Sequence, residues 1–176
     1  MSNKLDAAQP AVLPVALPFA LEKPMFTDAL LAYVHHIAAF ALVAILLVEM
    51  VLCKPGMTPQ QVRTLTRYDG MYGLFAAVLL VVGTMRVFWG IKGAQFYAHN
   101  PAFHAKVGLF ILIGLLSVPP TLTYFRWRKS LKANAQFTPS ADEIKATRRF
   151  IHLQAGLIVL LPLLAVLMAR GIGMTR

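Results

Sequence analysis

Four long apolar segments follow one another along the chain, each separated from the next by a more polar stretch. They run approximately over residues 27–52, 68–89, 103–125 and 150–169. A helix of roughly 20 apolar residues is long enough to cross the hydrocarbon core of a bilayer, and each segment reaches that length. The pattern therefore predicts an all-α fold, an integral membrane four-helix bundle that occupies residues 27–176.

Prolines divide this pattern. Three of them (Pro10, Pro14 and Pro18) interrupt the apolar run AVLPVALPFAL, and proline at that spacing does not suit a helix interior. The run also lacks a strongly basic start, which argues against a signal peptide. We therefore expect residues 1–26 to form a flexible N-terminal tail. Pro119-Pro120 predicts a kink or an end in the third span, and Pro162 a kink in the fourth.

Composition supports a membrane protein. Hydrophobic residues make up 58% of the chain and charged residues only 14%, whereas soluble domains average about 45–50% and about 25%. The net charge of +10 is also found in nucleic-acid-binding proteins, but here the basic residues lie in loops between apolar spans. We therefore expect the lipid bilayer, and no nucleic acid, as a partner.

The basic residues also predict an orientation. Ten of the 17 lysines and arginines lie in the loops 53–67 and 126–149, whereas the loop 90–102 holds only Lys92. Positively charged loops remain in the cytoplasm. The sequence thus predicts a multi-pass protein of the bacterial inner membrane with both termini in the periplasm.

Ionisable residues inside the spans suggest chemistry, because a charged group near the bilayer midplane costs at least a few kcal/mol. Five of them converge on the outer half: His35, His36, Arg86, His104 and Lys106. Haem b takes neutral imidazoles as axial ligands, and facing helices of a bundle can supply them. We predict His35 and His104 as the iron ligands, with His36 as the substitute for His35, and Arg86 and Lys106 as partners of the haem propionates.

A second group lies toward the inner face. Glu49, Asp69 and His152 are candidates for a proton relay, since intramembrane carboxylates and histidines are the usual parts of one. In the alternative interpretation, the two carboxylates only pair with Arg67 or Arg149 at the membrane boundary. A single histidine near a span end is likewise more often an interfacial hydrogen-bonding group than a ligand. The small-residue stripe that includes Gly73, Ala76 and Gly83 is more often simple helix packing.

Several sequence islands carry a resemblance. HHIAAF, RYDGMYG, GTMRVFWGIKGAQFYAHNPAFHAKVGLF, SVPPT and ARGIG resemble, in order, a family of predicted bacterial inner-membrane proteins of unknown function, from about residue 27 onward. The chain also has a wider similarity to a group that includes the copper-resistance D-type proteins and the HemJ-type protoporphyrinogen oxidases. This similarity rests on His35 or His36 and on the His-Ala-Lys run at residues 104–106.

The wider similarity implies haem b, with His35 or His36 and His104 as ligands and Lys106 as a functional cation. The doubled histidine, Arg86 and the Pro-Pro element depart from the HemJ pattern, so the oxidase activity itself is not carried over. The prediction is a haem b-binding membrane oxidoreductase or electron-transfer protein acting on a quinol or a porphyrin-like substrate.

Two other functions stay open. In one, the histidines together with Met25, Met71 and Met85 bind copper in a metal-transport protein, because methionine sulfur suits Cu(I). In the other, the chain is a non-catalytic scaffold whose basic loop binds anionic lipid or a partner protein. Either form could assemble into a homo-oligomer through its Gly/Ala faces.

Overall fold

The structure, a computed structural model, describes residues 22–173, and these residues form helices joined by short connections. The helices are α1 Glu22–Leu52, α2 Pro59–Trp89, α3 Gly93–Ala98, α4 Pro101–Ala133, α5 Ala141–Ile158 and α6 Leu160–Ala169. Most of the predicted tail lies outside the described residues, and α1 begins at Glu22 rather than at residue 27.

Four helical stretches are long and apolar enough to cross a membrane. They are Met25–Leu52, Pro59–Trp89, Pro101–Ala133 and Ala141–Ala169, the last being α5 and α6 together. The predicted all-α membrane bundle is therefore confirmed. The 33 residues of α4 rise about 50 Å at 1.5 Å per residue, so this helix extends beyond the hydrocarbon core, which is roughly 30 Å thick.

The helices form a ring in which α1 packs on α2, α2 on α4, α4 on α5 and α5 on α1. Within the described residues α1 and α4 make no close backbone contact, so they lie diagonally across the bundle. We call the end with the loops 53–58 and 134–140 the basic end. The opposite end, which holds Met25, Pro101 and Ala169, is the terminal end.

Capping boxes start two helices well before the apolar segments begin. The Thr58 hydroxyl accepts from the Gln61 backbone N–H at 3.2 Å, and the Gln61 side chain accepts from the Thr58 N–H at 2.9 Å. Ser140 and Glu143 repeat the arrangement at the start of α5. Such boxes satisfy backbone donors that have no partner within the helix. Polar residues therefore extend the helices, and the loops are shorter than the apolar pattern predicts.

The Pro119-Pro120 pair neither ends nor interrupts α4, which continues to Ala133. Pro120 has no N–H with which to bond the Leu116 carbonyl one turn earlier. Gln154 of α5 takes its place, because its Nε2 donates to Leu116 O at 3.3 Å. In a membrane, a carbonyl freed by proline needs such a partner from a neighbouring helix. Gln154 therefore stabilises α4 at its proline pair.

Pro162 has a different consequence. The fourth span is interrupted at Val159, between α5 and α6, where Pro162 cannot bond the Ile158 carbonyl. Beyond this break α6 packs on α4 and, within the described residues, makes no close backbone contact with α1. The fourth span therefore packs on α1 along α5 but, among the described residues, makes no such backbone contact along α6.

The hydrophobic core is densest toward the basic end. Its largest fully buried side chains include Trp127, Tyr124, Met57, Leu65 and Ile151, whereas α6 has no buried residue. The loops at the basic end and the extended helix ends are thus packed as in a soluble domain. The terminal half instead presents most of its apolar side chains outward, as a lipid-facing surface requires.

Asn100 joins the start of α4 to the end of α6. Its side-chain oxygen accepts from the N–H groups of Ala102 and Phe103, at 3.0 and 3.3 Å, and its amide donates to Met168 O at 3.0 Å. We expect Asn100→Ala to lower the free energy of unfolding by about 1–2 kcal/mol, since an N-cap of this kind contributes about that much. Thermal unfolding in detergent, followed by circular dichroism, measures the change.

Two further variants separate the roles of this side chain. Asn100→Asp keeps the cap but cannot donate to Met168, so its loss of stability should be smaller. Asn134→Ala, at an exposed helix end, is the control and should change stability little. Equal melting temperatures for Asn100→Ala and Asn134→Ala would contradict the assignment.

Candidate functional site

His35, Arg86 and Lys106 come together in the terminal half and form what we call the basic cluster. They belong to α1, the last turn of α2 and the second turn of α4, and each is half-buried. The charged groups that act on His35 are Lys106, Arg86 and His36, all of them basic. The sequence-based prediction that these three residues share one region of the bundle agrees with this placement.

Two nitrogens of the basic cluster are buried without a hydrogen-bond partner among the described residues, namely Nδ1 of His35 and Nε of Arg86. A buried polar atom without a partner costs about 1–3 kcal/mol, and native proteins satisfy nearly all of them. The two atoms therefore indicate a place where another molecule could supply partners.

Gly83 lets the imidazole of His35 lie against the backbone of α2. A Cβ atom at this position would stand 3.3 Å from Cε1 of His35 and 3.6 Å from its Nδ1. Any larger side chain would displace the ring. The last glycine of the predicted small-residue stripe thus positions His35.

Asp28 and Tyr97 border the cluster on the side of the terminal end. Tyr97 lies in α3, between the second and third spans, and burial raises the pKa of its hydroxyl. Arg86 lowers this pKa and Asp28 raises it, so both charges lie within electrostatic reach of Tyr97. The α2–α4 connection therefore borders the basic cluster at the terminal end.

The other predicted histidine ligands each use one ring nitrogen locally and are exposed. Nδ1 of His36 bonds Ala32 O at 2.6 Å, and Nε2 of His104 bonds Ala98 O at 2.9 Å. These bonds leave one nitrogen of each ring available, as in many metal-binding histidines. His104 lies on α4, the helix diagonal to α1, and His36 points away from the bundle interior.

The predicted proton-relay residues separate into a buried pair and an exposed histidine. Glu49 is 3% exposed and Asp69 is 7% exposed, and each contributes to the electrostatic environment of Tyr72. His152 is exposed, and its Nε2 accepts from Arg148 at 3.3 Å. The structure therefore brings together Glu49 and Asp69, which we call the carboxyl pair, and leaves His152 at the surface.

The carboxyl pair has few partners. The Thr121 hydroxyl donates to Oδ1 of Asp69 at 2.7 Å, while Oε1 of Glu49 is buried with no partner among the described residues. Arg67 and Arg149, the cations of the alternative interpretation, are both exposed. Asp69 is the charged group that acts on Glu49. Simple pairing at the membrane boundary therefore does not describe this arrangement.

Four polar residues that the sequence-based prediction missed surround the pair: Thr121, Tyr72, Tyr124 and Gln154. The Tyr72 hydroxyl donates to Oε1 of Gln154 at 3.4 Å, and the buried Tyr124 hydroxyl lies beside the thiol of Cys53. Tyr72 follows Asp69 by three residues and shares its helix face, a signal that was visible in the sequence. Tyr124 and Gln154 lie on other helices and gave no such signal.

A cavity of about 260 Å³ opens between α2 and α4 next to Asp69. Its wall combines small residues, aromatic rings and four polar side chains, and includes Asp69, Tyr72, Gly73, Ser117, Thr121 and Phe125. The small-residue stripe therefore leaves space between the two helices at this depth as well.

The described residues contain no group of three or more His, Cys, Asp or Glu side chains that could hold a metal ion. The single cysteine, Cys53, is buried, and burial raises the pKa of its thiol to about 11. A thiol with that pKa is protonated at neutral pH and is a poor metal ligand. The copper-transport interpretation, which rests on histidines and methionines rather than on Cys53, stays a prediction.

The comparison with known families agrees with the fold. The model of a family described as "Predicted membrane protein (DUF2214)" matches residues 27–173. The chain belongs to this family. No curated protein and no solved structure matches it. The resemblance to a membrane family of unknown function is thus confirmed, but no match carries the similarity to the copper-resistance or HemJ-type proteins.

This DUF2214 protein therefore has two separate polar sites. The basic cluster in the terminal half combines an imidazole with two basic side chains and suits an anionic ligand that also offers an imidazole partner. The carboxyl pair lies nearer the basic end and suits a positively charged species. Each site requires its own functional explanation.

Proposed function

We propose that this membrane protein binds haem b at the basic cluster and takes part in membrane redox or electron transfer. The observation that carries the proposal is the His35 imidazole, whose buried Nδ1 has no partner among the described residues, next to two cations. Haem b offers both complementary features, an iron that binds imidazole and two propionates that pair with basic side chains.

The residues of the cluster fit these roles. His35 would bind the haem iron, and Arg86 and Lys106 would pair with the propionates. Both cations lie close to the terminal end, where a carboxylate can face the membrane surface. His104 is the proposed second ligand through Nδ1, because its Nε2 is bonded to Ala98 O, and it lies on the helix diagonal to α1. When bound, haem supplies one-electron redox chemistry, while the chain orients it and shields it from water.

The break in the fourth span at Val159 and the lack of close backbone contact between α1 and α6 among the described residues favour access from the lipid. We propose that a quinol or a porphyrin-like substrate reaches the terminal half from the lipid. We further propose that the protein lies in a bacterial inner membrane, with its basic end in the cytoplasm and both termini in the periplasm. The clustering of arginine and lysine at the basic end supports this orientation.

A visible spectrum tests the proposal. Protein purified in detergent from haem-replete cells should show a Soret band and, after reduction, an α-band. We expect His35→Ala to lose at least about nine-tenths of the bound haem, since changes at or around a metal ligand typically cost 10–100-fold in affinity.

His99→Ala is the matched control, because His99 is an exposed histidine that bonds only Gln95 O, at 2.9 Å. It should retain the full spectrum. A colourless wild-type protein, or a His35→Ala variant with an unchanged spectrum and haem content, would overturn the proposal.

A further inference from the structure

We propose that the carboxyl pair, Glu49 and Asp69, is a proton-binding site that carries one exchangeable proton at neutral pH. The site lies in the half of the bundle nearer the basic end and does not depend on the haem proposal. Four helices build it, with Glu49 on α1, Asp69 and Tyr72 on α2, Thr121 and Tyr124 on α4, and Gln154 on α5.

The charges around the pair make two ionised carboxylates costly. Both side chains are more than nine-tenths buried, and like charges at one buried site do not both remain ionised. The cation on the adjoining face of α5 is Arg148. Its Nη1 donates to Cys53 O at 2.6 Å, and its Nη2 donates to His152. Both of these donors are therefore engaged elsewhere, and among the described residues the hydrogen bond that Asp69 accepts comes from a neutral hydroxyl, while Oε1 of Glu49 has no partner.

A second observation comes from α4. The hydroxyl of Tyr124, a residue that is 1% exposed, has only the thiol of Cys53 as a neighbouring hydrogen-bonding group, and Oε1 of Glu49 has no hydrogen-bond partner among the described residues. Glu49 lies within electrostatic reach of the Tyr124 hydroxyl. A carboxyl oxygen that carries a proton becomes a donor, and a tyrosine oxygen can accept from it. A protonated Glu49 carboxyl can therefore donate a hydrogen bond to a neighbouring oxygen, whereas the ionised carboxylate can only accept one.

The cavity between α2 and α4 provides the route of exchange. Asp69 and Tyr72 line it, whereas Glu49 does not. At about 30 Å³ per water molecule, a cavity of about 260 Å³ has room for several waters. The proton would pass from the Glu49 carboxyl to the Asp69 carboxylate and then to water in the cavity. No electron moves, and the pair is left with two negative charges until another proton returns.

The donor set favours a proton over a sodium ion. Hard metal ions take six or more oxygen ligands, yet here the Thr121 hydroxyl already donates to Asp69, and the Gln154 oxygen accepts from Tyr72. The Gln154 amide is bonded to Leu116 O and Phe150 O. Too few oxygens remain to surround a metal ion, whereas a proton needs only one acceptor.

Infrared difference spectroscopy of the full chain in lipid vesicles tests the proposal. At pH 7 the wild-type protein should show the C=O stretch of a protonated carboxyl that shifts in D₂O, with an intensity of about one proton per chain, as expected for a coupled pair. Glu49→Gln should remove most of this band. Asp69→Asn is the second variant and should slow its exchange in D₂O.

Asp142→Asn is the control, because Asp142 is an exposed residue in the first turn of α5, and it should leave the band unchanged. Absence of the band at pH 7, or its persistence in both Glu49→Gln and Asp69→Asn, would overturn the proposal. Ionised carboxylates together with sodium-dependent thermal stabilisation would overturn it in favour of a sodium site. The haem-free His35→Ala variant should keep the band, so a failure of the haem proposal does not decide this one.

Discussion

Replacement of Trp127 by alanine is expected to lower the free energy of unfolding by about 3–5 kcal/mol, the usual cost of removing a large aromatic side chain from a core. Trp127 is 1% exposed, and its ring centroid lies 5.5 Å from that of Tyr124. Both side chains belong to the buried cluster toward the basic end. The truncation leaves a cavity that the surrounding helices can fill only in part. Chemical or thermal unfolding in detergent provides the measurement.

Trp89 offers a matched control, because it ends α2 and is 66% exposed. Trp89→Ala removes the same side chain from a lipid-facing position and should cost much less. Trp127→Phe distinguishes the loss of ring packing from the loss of the indole N–H. It keeps most of the ring and removes an indole N–H that has no partner among the described residues, so its loss should be well below that of Trp127→Ala. Similar losses for Trp127→Ala and Trp89→Ala would show that the core at the basic end does not dominate stability.

Gly90→Ala is expected to destabilise the junction between α2 and α3 by about 1–3 kcal/mol, the usual cost of overpacking. A Cβ atom at residue 90 would overlap the carbonyl oxygen of Arg86 and stand 2.9 Å from Oδ1 of Asp28. The Gly90 N–H also bonds Arg86 O, at 3.1 Å, so the end of α2 must shift to accept the methyl group. Since Arg86 is part of the basic cluster, the proposed haem binding should weaken as the melting temperature falls.

Gly108→Ala is the control, because a Cβ atom at this exposed position in α4 meets nothing within 4 Å. Alanine is the better helix former by roughly 0.5–1 kcal/mol, so this variant should be unchanged or slightly more stable. Gly90→Ala is therefore expected to lower the stability, whereas Gly108→Ala is expected to leave it unchanged or raise it slightly. A stabilising effect of Gly90→Ala would contradict the described end of α2.

The pattern of apolar segments was sufficient to predict four spans because a bilayer requires long runs of non-polar helix. It was not sufficient to predict where the helices end. Polar capping residues such as Thr58 and Ser140 extend them into water, and a hydropathy pattern does not register such residues. The Pro-Pro element illustrates the same limit, because α4 continues through it with the help of Gln154, which lies 38 residues from the carbonyl that it satisfies.

The candidate sites divide in a similar way. Buried ionisable residues could be identified from the sequence, because a charge inside the membrane is energetically costly. The structure buries Glu49 and Asp69 and half-buries His35, Arg86 and Lys106. The orientation of the other histidine side chains could not be predicted from the sequence. Each ring nitrogen finds its partner through local backbone geometry, and His104 bonds a carbonyl in the connection that precedes its helix.

The sequence by itself determined the membrane class, the number of spans and the residue types available for chemistry, because these follow from composition and from spacing along a helix. Only the tertiary structure decided which side chains meet. The rotation of each helix about its axis and the order of neighbours around the ring brought Tyr124 and Gln154 to the carboxyl pair and left His152 outside it. Such contacts join residues far apart in the chain, and they follow from packing among four helices rather than from any local pattern.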